Sequence, residues 1–357
     1  GLDLGFLNNR LNVSFDAYIR DTKDMLMAGK TLPGVYGASS PRMNVADLRT
    51  KGWEASVTWG DSFTLASKPF NYRIMAGIGD NISKVTKYDN PNRTLTDPYE
   101  GQQLGEIWGY VVDGYFKTDE EARNYKVDQS FVNQMINASA LDNGLHAGDL
   151  KFVDLDGNNK IEQTTSANDR KDMKVIGNSL PRYNYNFGIS ADWYGIDFSV
   201  LFQGIGKQNW YPGAETSMFW GPYSRPYASF IPSDFMSQVW SEENTNAYFP
   251  RPRGYVALGS NRELAVVNTK YLQNLAYCRL KNLSIGYTLP DKWLSKIGFE
   301  KIRVYFSGEN LLTFTKLHSD YIDPEQASAS NSWKTSKSDA NIYPWAKTYS
   351  FGVDITF

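Results

Sequence analysis

The stretch RYNYNFGISADWYGIDFSVLF, residues 182–202, decides the fold. Tyr183, Tyr185, Phe187, Ile189, Ala191 and Trp193 alternate with Arg182, Asn184, Asn186, Gly188, Ser190 and Asp192. After Tyr194-Gly195 the alternation resumes with Ile196, Phe198, Val200 and Phe202. Successive side chains of a strand point to opposite faces, so a period of two means one apolar and one polar face. A two-residue interruption containing Gly between two such runs marks a tight hairpin.

The same period recurs outward from this hairpin. Leu11, Val13, Phe15, Ala17 and Ile19 share a face against Asn12, Ser14, Asp16, Tyr18 and Arg20. Trp53, Ala55, Val57 and Trp59 oppose Glu54, Ser56 and Thr58. Leu283, Ile285, Tyr287 and Leu289 continue the pattern, as do Ile302, Val304 and Phe306. The last run sets Tyr349, Phe351, Val353, Ile355 and Phe357 against Ser350, Gly352, Asp354 and Thr356. Nine strands are expected, at about 1–7, 10–27, 43–60, 69–88, 181–194, 195–209, 271–289, 300–316 and 344–357. Several exceed the roughly 9–11 residues a strand needs to cross a bilayer.

The connections alternate strictly in length. Asn8-Asn9, 61–68, Tyr194-Gly195 and 290–299 are short, whereas 28–42, 89–180, 210–270 and 317–343 are long. Short turns at one end and long loops at the other are the rule of outer-membrane β-barrels. The expected class is therefore all-β, a transmembrane antiparallel β-barrel whose long loops are extracellular. Nine strands cannot close an even-numbered barrel, and an open edge in hydrocarbon leaves backbone groups unpaired. With no export leader before the first strand, the chain is expected to be the C-terminal part of something larger.

Composition agrees. Aromatic residues make up 15% of the 357, with 23 Tyr, 19 Phe and 10 Trp. The mean hydropathy is nonetheless only −0.48, as lipid-facing rings alternating with a polar lumen require. A soluble all-β protein with aromatic-rich binding loops is the other composition-compatible class. The net charge of −2 and the lack of a basic stripe argue against nucleic acid. The single cysteine, Cys278, excludes an intrachain disulfide framework. Only two histidines are present, His146 and His318, and no G-x-S-x-G motif occurs, so no enzyme is expected.

Two stretches carry candidate sites. Asp154-Leu155-Asp156-Gly157-Asn158-Asn159-Lys160-Ile161-Glu162 resembles the first nine positions of an EF-hand-like calcium loop. Asp154, Asp156 and Asn158 stand at positions one, three and five, the Lys160 carbonyl at seven and Glu162 at nine. Asn159 occupies the turn position usually held by Gly, and the twelfth position is Thr165, leaving Asp169 as the later carboxylate. Bound Ca²⁺ ordering the 89–180 loop is one reading, and a solvated acidic turn the other. In the 210–270 loop, Trp210, Tyr211, Trp220, Tyr223 and Arg225 are candidate substrate contacts, since exposed rings stack on sugars and arginine bonds hydroxyls or carboxylates. Equally, these rings can pack the loop's own core or meet a partner. Asp16, Arg20, Arg182, Asp192, Arg303 and Glu309 should face the lumen, while Trp193, Trp345 and Tyr349 suit interfacial anchors.

Several longer motifs resemble one family. They are Gly105-Glu106-Ile107-Trp108-Gly109-Tyr110, Gly148-Asp149-Leu150-Lys151-Phe152 with the acidic loop, and Val175-Ile176-Gly177-Asn178. Further along come Arg279-Leu280-Lys281-Asn282-Leu283-Ser284-Ile285-Gly286-Tyr287-Thr288-Leu289-Pro290, Gly308-Glu309-Asn310-Leu311-Leu312 and Asp323-Pro324-Glu325. Together they resemble the SusC/RagA type of TonB-dependent outer-membrane transporter, and the strand ending in Phe357 resembles the barrel-assembly signal. The resemblance implies a plugged barrel of about 22 strands, the size class of such transporters. It also implies energy-dependent import of oligomeric nutrients, driven by TonB through a plug outside this chain. A SusD-like surface lipoprotein as lid, surrounding outer-membrane lipid, and a dimer of transporter–lipoprotein pairs go with that reading. Glycan oligosaccharides are the leading substrate class, with peptides or a passive porin as alternatives.

Overall fold

The computed structural model describes residues 1–29, 34–38, 41–133, 144–224, 231–252, 255–259, 262–294, 298–327, 337–338 and 343–357. Its main feature is one nine-stranded antiparallel meander: β1 Leu2–Phe6, β2 Leu11–Ala28, β3 Arg42–Leu65, β4 Lys68–Lys87, β5 Arg182–Trp193, β6 Ile196–Lys207, β7 Tyr277–Thr288, β8 Lys301–Thr315 and β9 Thr348–Thr356. The strands lie in chain order, and the sheet is open, with β1 and β9 at its edges. Each expected strand is present within a few residues. β3 departs at its far end, running five residues beyond the expected 60 to Leu65. There Ala66 and Ser67, both at positive φ, make a two-residue turn where a longer loop is expected. β7 begins at Tyr277 rather than 271, because Gln273–Asn274 leaves the wall to pair with Asn209–Pro212.

Tyr194-Gly195 makes the hairpin that opens the sequence argument, with φ of 51° and 85°. A side chain at Gly195 would lie 2.7 Å from the Thr288 carbonyl, so both backbone conformation and space call for glycine. The four connections at this end, 7–10, 66–67, 194–195 and 289–300, are short. The four at the other end, 29–41, 88–181, 208–276 and 316–347, are long. β3, at 24 residues and about 3.4 Å each, extends about 80 Å, well beyond a ~30 Å apolar bilayer core.

Register makes each face continuous across the strands. Tyr72, Ala191, Phe198, Ile285, Phe306 and Phe351 lie directly opposite one another along β4 to β9. One residue over, Asn71, Asp192, Asp197, Gly286, Tyr305 and Gly352 form the matching row of the other face. Side chains of the apolar face are uncovered: Phe351 is 83% exposed, Ile19 64% and Val353 58%. A soluble monomer does not leave so large a contiguous apolar surface open to water. This face belongs against hydrocarbon.

The buried core lies elsewhere, in a dome built from the long connections. Glu106–Tyr110 pairs with Met173–Asn178, and Val112–Tyr115 with Leu150–Phe152. Around these ribbons Trp210, Tyr211, Trp220, Phe249, Tyr271, Leu264 and Leu275 are all essentially inaccessible. Short helical turns, such as Asp119–Arg123 and Ser217–Trp220, complete it. Thr118 caps the first of these, its hydroxyl accepting from the Glu121 N–H at 3.1 Å.

Candidate functional site

The polar face of the wall is paired and hydrogen-bonded across strands. Arg182 forms a bidentate ion pair with buried Asp80. Asn71 donates to Asp192 at 2.7 Å. Arg303 reaches over β7 to Asp197 at 2.6 and 2.8 Å, and to Asp354 at 3.3 Å. That reach crosses Gly286, where a Cβ would lie 2.5 Å from the Arg303 guanidinium. Arg182, Asp192 and Arg303 thus stand on the expected face, tied to neighbours on other strands. Asp16 instead borders a hollow with Ser14, Tyr18, Glu54, Asn184 and Asn186. Gly77 and Gly79 make this hollow by presenting no side chains. Arg20 and Glu309 belong to the same face, opposite Thr50 and Asn282 respectively.

The dome corrects one expectation. Trp210, Tyr211, Trp220 and Tyr223 do not present faces to solvent; they are at most 2% exposed. Trp220 packs edge-on against Phe219 at 4.8 Å and Tyr271 at 5.2 Å, and its indole N–H donates to the Gly213 carbonyl at 2.9 Å. Tyr211 donates to the Leu264 carbonyl at 2.8 Å and accepts from Asn268 at 2.9 Å. Burial holds the Tyr211 and Tyr271 hydroxyls well above the usual phenol range. Rings covered on both faces cannot stack on a ligand, so these four act as core. The physical reason is that large rings fill an irregular loop assembly alongside Phe152, Phe249, Leu264 and Leu275, burying much apolar area each. Arg225 lies outside the described residues.

Burial also lowers the Lys270 ammonium, which sits 4.8 Å from the Tyr115 ring centre and 5.6 Å from that of Tyr248. Trp345, expected as an interfacial ring, is half exposed. Its backbone N–H donates to Asp323 at 3.1 Å and Lys281 stands 5.7 Å over its ring.

The acidic loop folds as a tight turn around Asp154. One Asp154 oxygen accepts from the Gly157 N–H and the other from the Asn159 N–H, both at 2.7 Å. Asn159 takes φ of 62°, the left-handed geometry that its position demands. Asn158 donates to Asp156 at 3.2 Å and to Glu162 at 3.0 Å, and its own oxygen accepts from Lys160 N–H. Desolvation opposes ionisation of Asp154, but the N–H groups of Asn159, Gly157 and Asn158 hold its carboxyl below the usual range.

The third carboxylate near Asp154 and Asp156 is Asp172, with oxygens of all three within 4.8 Å of one another. Asp169 is not one of the three; its carboxylate lies 3.6 Å from the Lys171 ammonium, which also stands 3.7 Å from Glu162. The chain between leaves the turn to pair Ser166 with Thr94 and returns at Asp172. Sequence spacing could not choose between the two, because that excursion depends on a partner some 70 residues upstream. Asp172 is buried and accepts N–H bonds from Leu155 at 2.8 Å and Glu162 at 2.7 Å. Burial, with Asp156 and Asp154 nearby, pushes its carboxyl up. Three carboxylates gathered in one tight turn offer the oxygen donors that a hard divalent cation takes.

No family model matches the chain. Among curated proteins it is 28% identical to the TonB-dependent receptor P3 of Formosa agariphila, over all of this chain and 33% of that receptor. It is 23% identical to the TonB-dependent receptor SusC of Bacteroides thetaiotaomicron, over all of this chain and 31% of SusC. Among solved structures, that of the RagAB peptide transporter superimposes with a TM-score of 0.68 at 20% identity, covering 99% of this chain and 34% of that one. The chain thus spans about a third of the length of the receptors it matches. Its curated homologues are TonB-dependent receptors, transport proteins and not enzymes, and its fold is that of part of their barrel wall.

Proposed function

We propose, from that homology, that the chain forms part of the wall and outer loops of an outer-membrane importer of oligomeric nutrients energised through TonB. The observation that carries this reading is the continuous apolar face, uncovered along every strand of the wall, in a chain homologous to such receptors from end to end. Transport would proceed by conformational change, with the long connections at the cell surface and a SusD-like lipoprotein closing over them. Glycan oligosaccharides are the proposed cargo. The hydroxyl-, amide- and carboxylate-lined hollow at Asp16, Glu54, Asn184 and Asn186 offers hydrogen bonds of the kind sugars use. The test is the full-length receptor extracted in detergent from outer membranes, with its bound material identified by mass spectrometry. Co-purified glycans with a surface lipoprotein uphold the proposal, co-purified peptides replace its cargo, and a protein that stays in the aqueous fraction overturns it.

A second proposal concerns the acidic turn. Asp154, Asp156, Asn158, the Lys160 carbonyl and Glu162, with Asp172 in the place expected of Asp169, would hold Ca²⁺ and order the 88–181 connection. The clustered carboxylates and the left-handed turn at Asn159 support it. Calorimetric titration of the receptor with CaCl₂ should give one site that Asp154→Asn weakens at least about tenfold, since each lost charged ligand lowers affinity. Identical heats from parent and variant would exclude it.

A further inference from the structure

Three of the sequence motifs meet at one place on the polar face of the wall. Arg279 of β7 donates from Nη2 to Asp323 at 2.7 Å, from Nη1 to Glu325 at 2.6 Å and from Nε to the Thr313 hydroxyl at 2.9 Å. Lys281 donates to both Glu325 oxygens at 2.8 Å. The side chains of Arg279 and Asp323 are only 3% and 5% exposed.

Irregular pairing makes this possible. β7 shifts register between Leu280 and Asn282, and on β8 the facing pair jumps from Leu312 to Glu309 across Asn310, whose φ is 53°. Arg279 stands opposite Gln203 and Thr313, on the polar face. The extra residue of the bulge is Lys281, whose ammonium reaches the same carboxylate. A bulge is a recognised way to re-aim a side chain at a site.

The anions come from the 316–347 connection, which turns back on itself at Asp323-Pro324-Glu325. Asp323 also accepts from the Glu325 N–H at 2.9 Å, and its carbonyl from Ala327 N–H at 2.9 Å. The same segment is stitched to the dome: Leu317 and Ile322 are buried there, and Ser319 donates to the Met218 carbonyl at 2.8 Å.

We propose that Arg279, Lys281, Asp323 and Glu325 form a charge-balanced clasp that fixes the 317–327 segment inward, against the polar face of the wall. Two cations meet two anions, so the buried set is neutral when complete and left with an uncompensated charge when one member is lost. Granted the barrel reading above, the segment is a fixed narrowing of the lumen rather than a free outer loop.

Hydrogen exchange of the full-length receptor in detergent tests this, comparing the parent with Arg279→Met and with Asp323→Asn/Glu325→Gln. Peptides within 317–327 should exchange at least about tenfold faster in both variants, while those of β5 and β6 keep the parent rate. Parent-like exchange of 317–327 in both overturns the clasp. Should Arg279→Met also loosen the wall, Glu325→Gln alone decides, since it keeps the Arg279–Asp323 pair: faster exchange confined to 317–327 upholds the proposal and none overturns it. Failure of the barrel reading would be seen separately, as a parent protein soluble without detergent.

Discussion

The wall and the dome use the same aromatic residues in opposite ways. Along the wall, Phe15, Phe187, Phe351 and Tyr349 project outward and are exposed, and backbone ladders hold the strands. In the dome, Trp220, Phe249 and Tyr271 turn inward and pack ring on ring, while Trp220 and Tyr211 donate to the loop carbonyls of Gly213 and Leu264. The difference is one of solvent. A face set against hydrocarbon gains nothing by hiding its rings, whereas a loop assembly in water must bury them to offset the entropy of ordering its backbone. Each region therefore responds to a different substitution.

The largest effect is expected inside the dome. Trp220→Ala removes a fully buried indole and leaves the Gly213 carbonyl with only the longer bond from the Thr216 N–H at 3.2 Å. The cost should be about 3–5 kcal/mol, the range for emptying a buried aromatic site. Hydrogen exchange should rise across 209–275 while β2 to β4 remain protected, because the wall ladder does not depend on that ring. Equal loosening of wall and dome would show that the two are one cooperative unit and would break the comparison.

On the wall the informative change is one that water would welcome. Ile285 is 45% exposed in a row with Phe306 and Phe351. In a soluble sheet Ile285→Arg would be close to neutral. In a bilayer the cost of a lipid-facing arginine falls from about 2–4 kcal/mol at the midplane to about 0–1 at the interface, and Ile285, three residues from the short-turn end of β7, should lie between, at about 1–2 kcal/mol. Denaturant unfolding of parent and variant receptor in lipid vesicles measures it, and an unchanged midpoint would return the apolar face to water.

The wall was legible because the face a strand residue occupies is decided by its immediate neighbours. Period two from Arg182 to Phe202 named the lipid-side and polar-side residues correctly, and Tyr194-Gly195 named the turn. What local alternation cannot reveal is where it fails: the Lys281 bulge and the break at Asn310 lie inside runs that read as regular strand. The dome was less legible for the same reason. Nothing near Trp210 or Trp220 in sequence says which chain segments cover them, so rings suited to a ligand and rings suited to a core look alike. In the acidic turn Asp154, Asp156 and Asn158 lay close together by spacing alone, whereas Asp172 joined them only through the distant pairing of Ser166 with Thr94.

The smallest expected effect is a pH dependence confined to the junction between the dome and the 316–347 connection. The His318 ring stacks on Tyr248 at 3.5 Å between centres, and its Nε2 lies 2.8 Å from the Gln238 side-chain oxygen. Desolvation lowers its pKa and Lys270 adds to that, outweighing Asp234 and Asp320, which favour the cation. For a base held below its unfolded value, the neutral form is the one the fold prefers. The stabilisation is complete above about pH 6.5, the ordinary histidine value, and fades as pH falls through the lower folded value. Exchange of amides near 317–320 should therefore quicken modestly between pH 7 and pH 5, with the wall unaffected. His318→Phe keeps an aromatic face on Tyr248 and has no proton to gain, so it should flatten that profile. A pH response that survives the substitution would show that His318 is not its source.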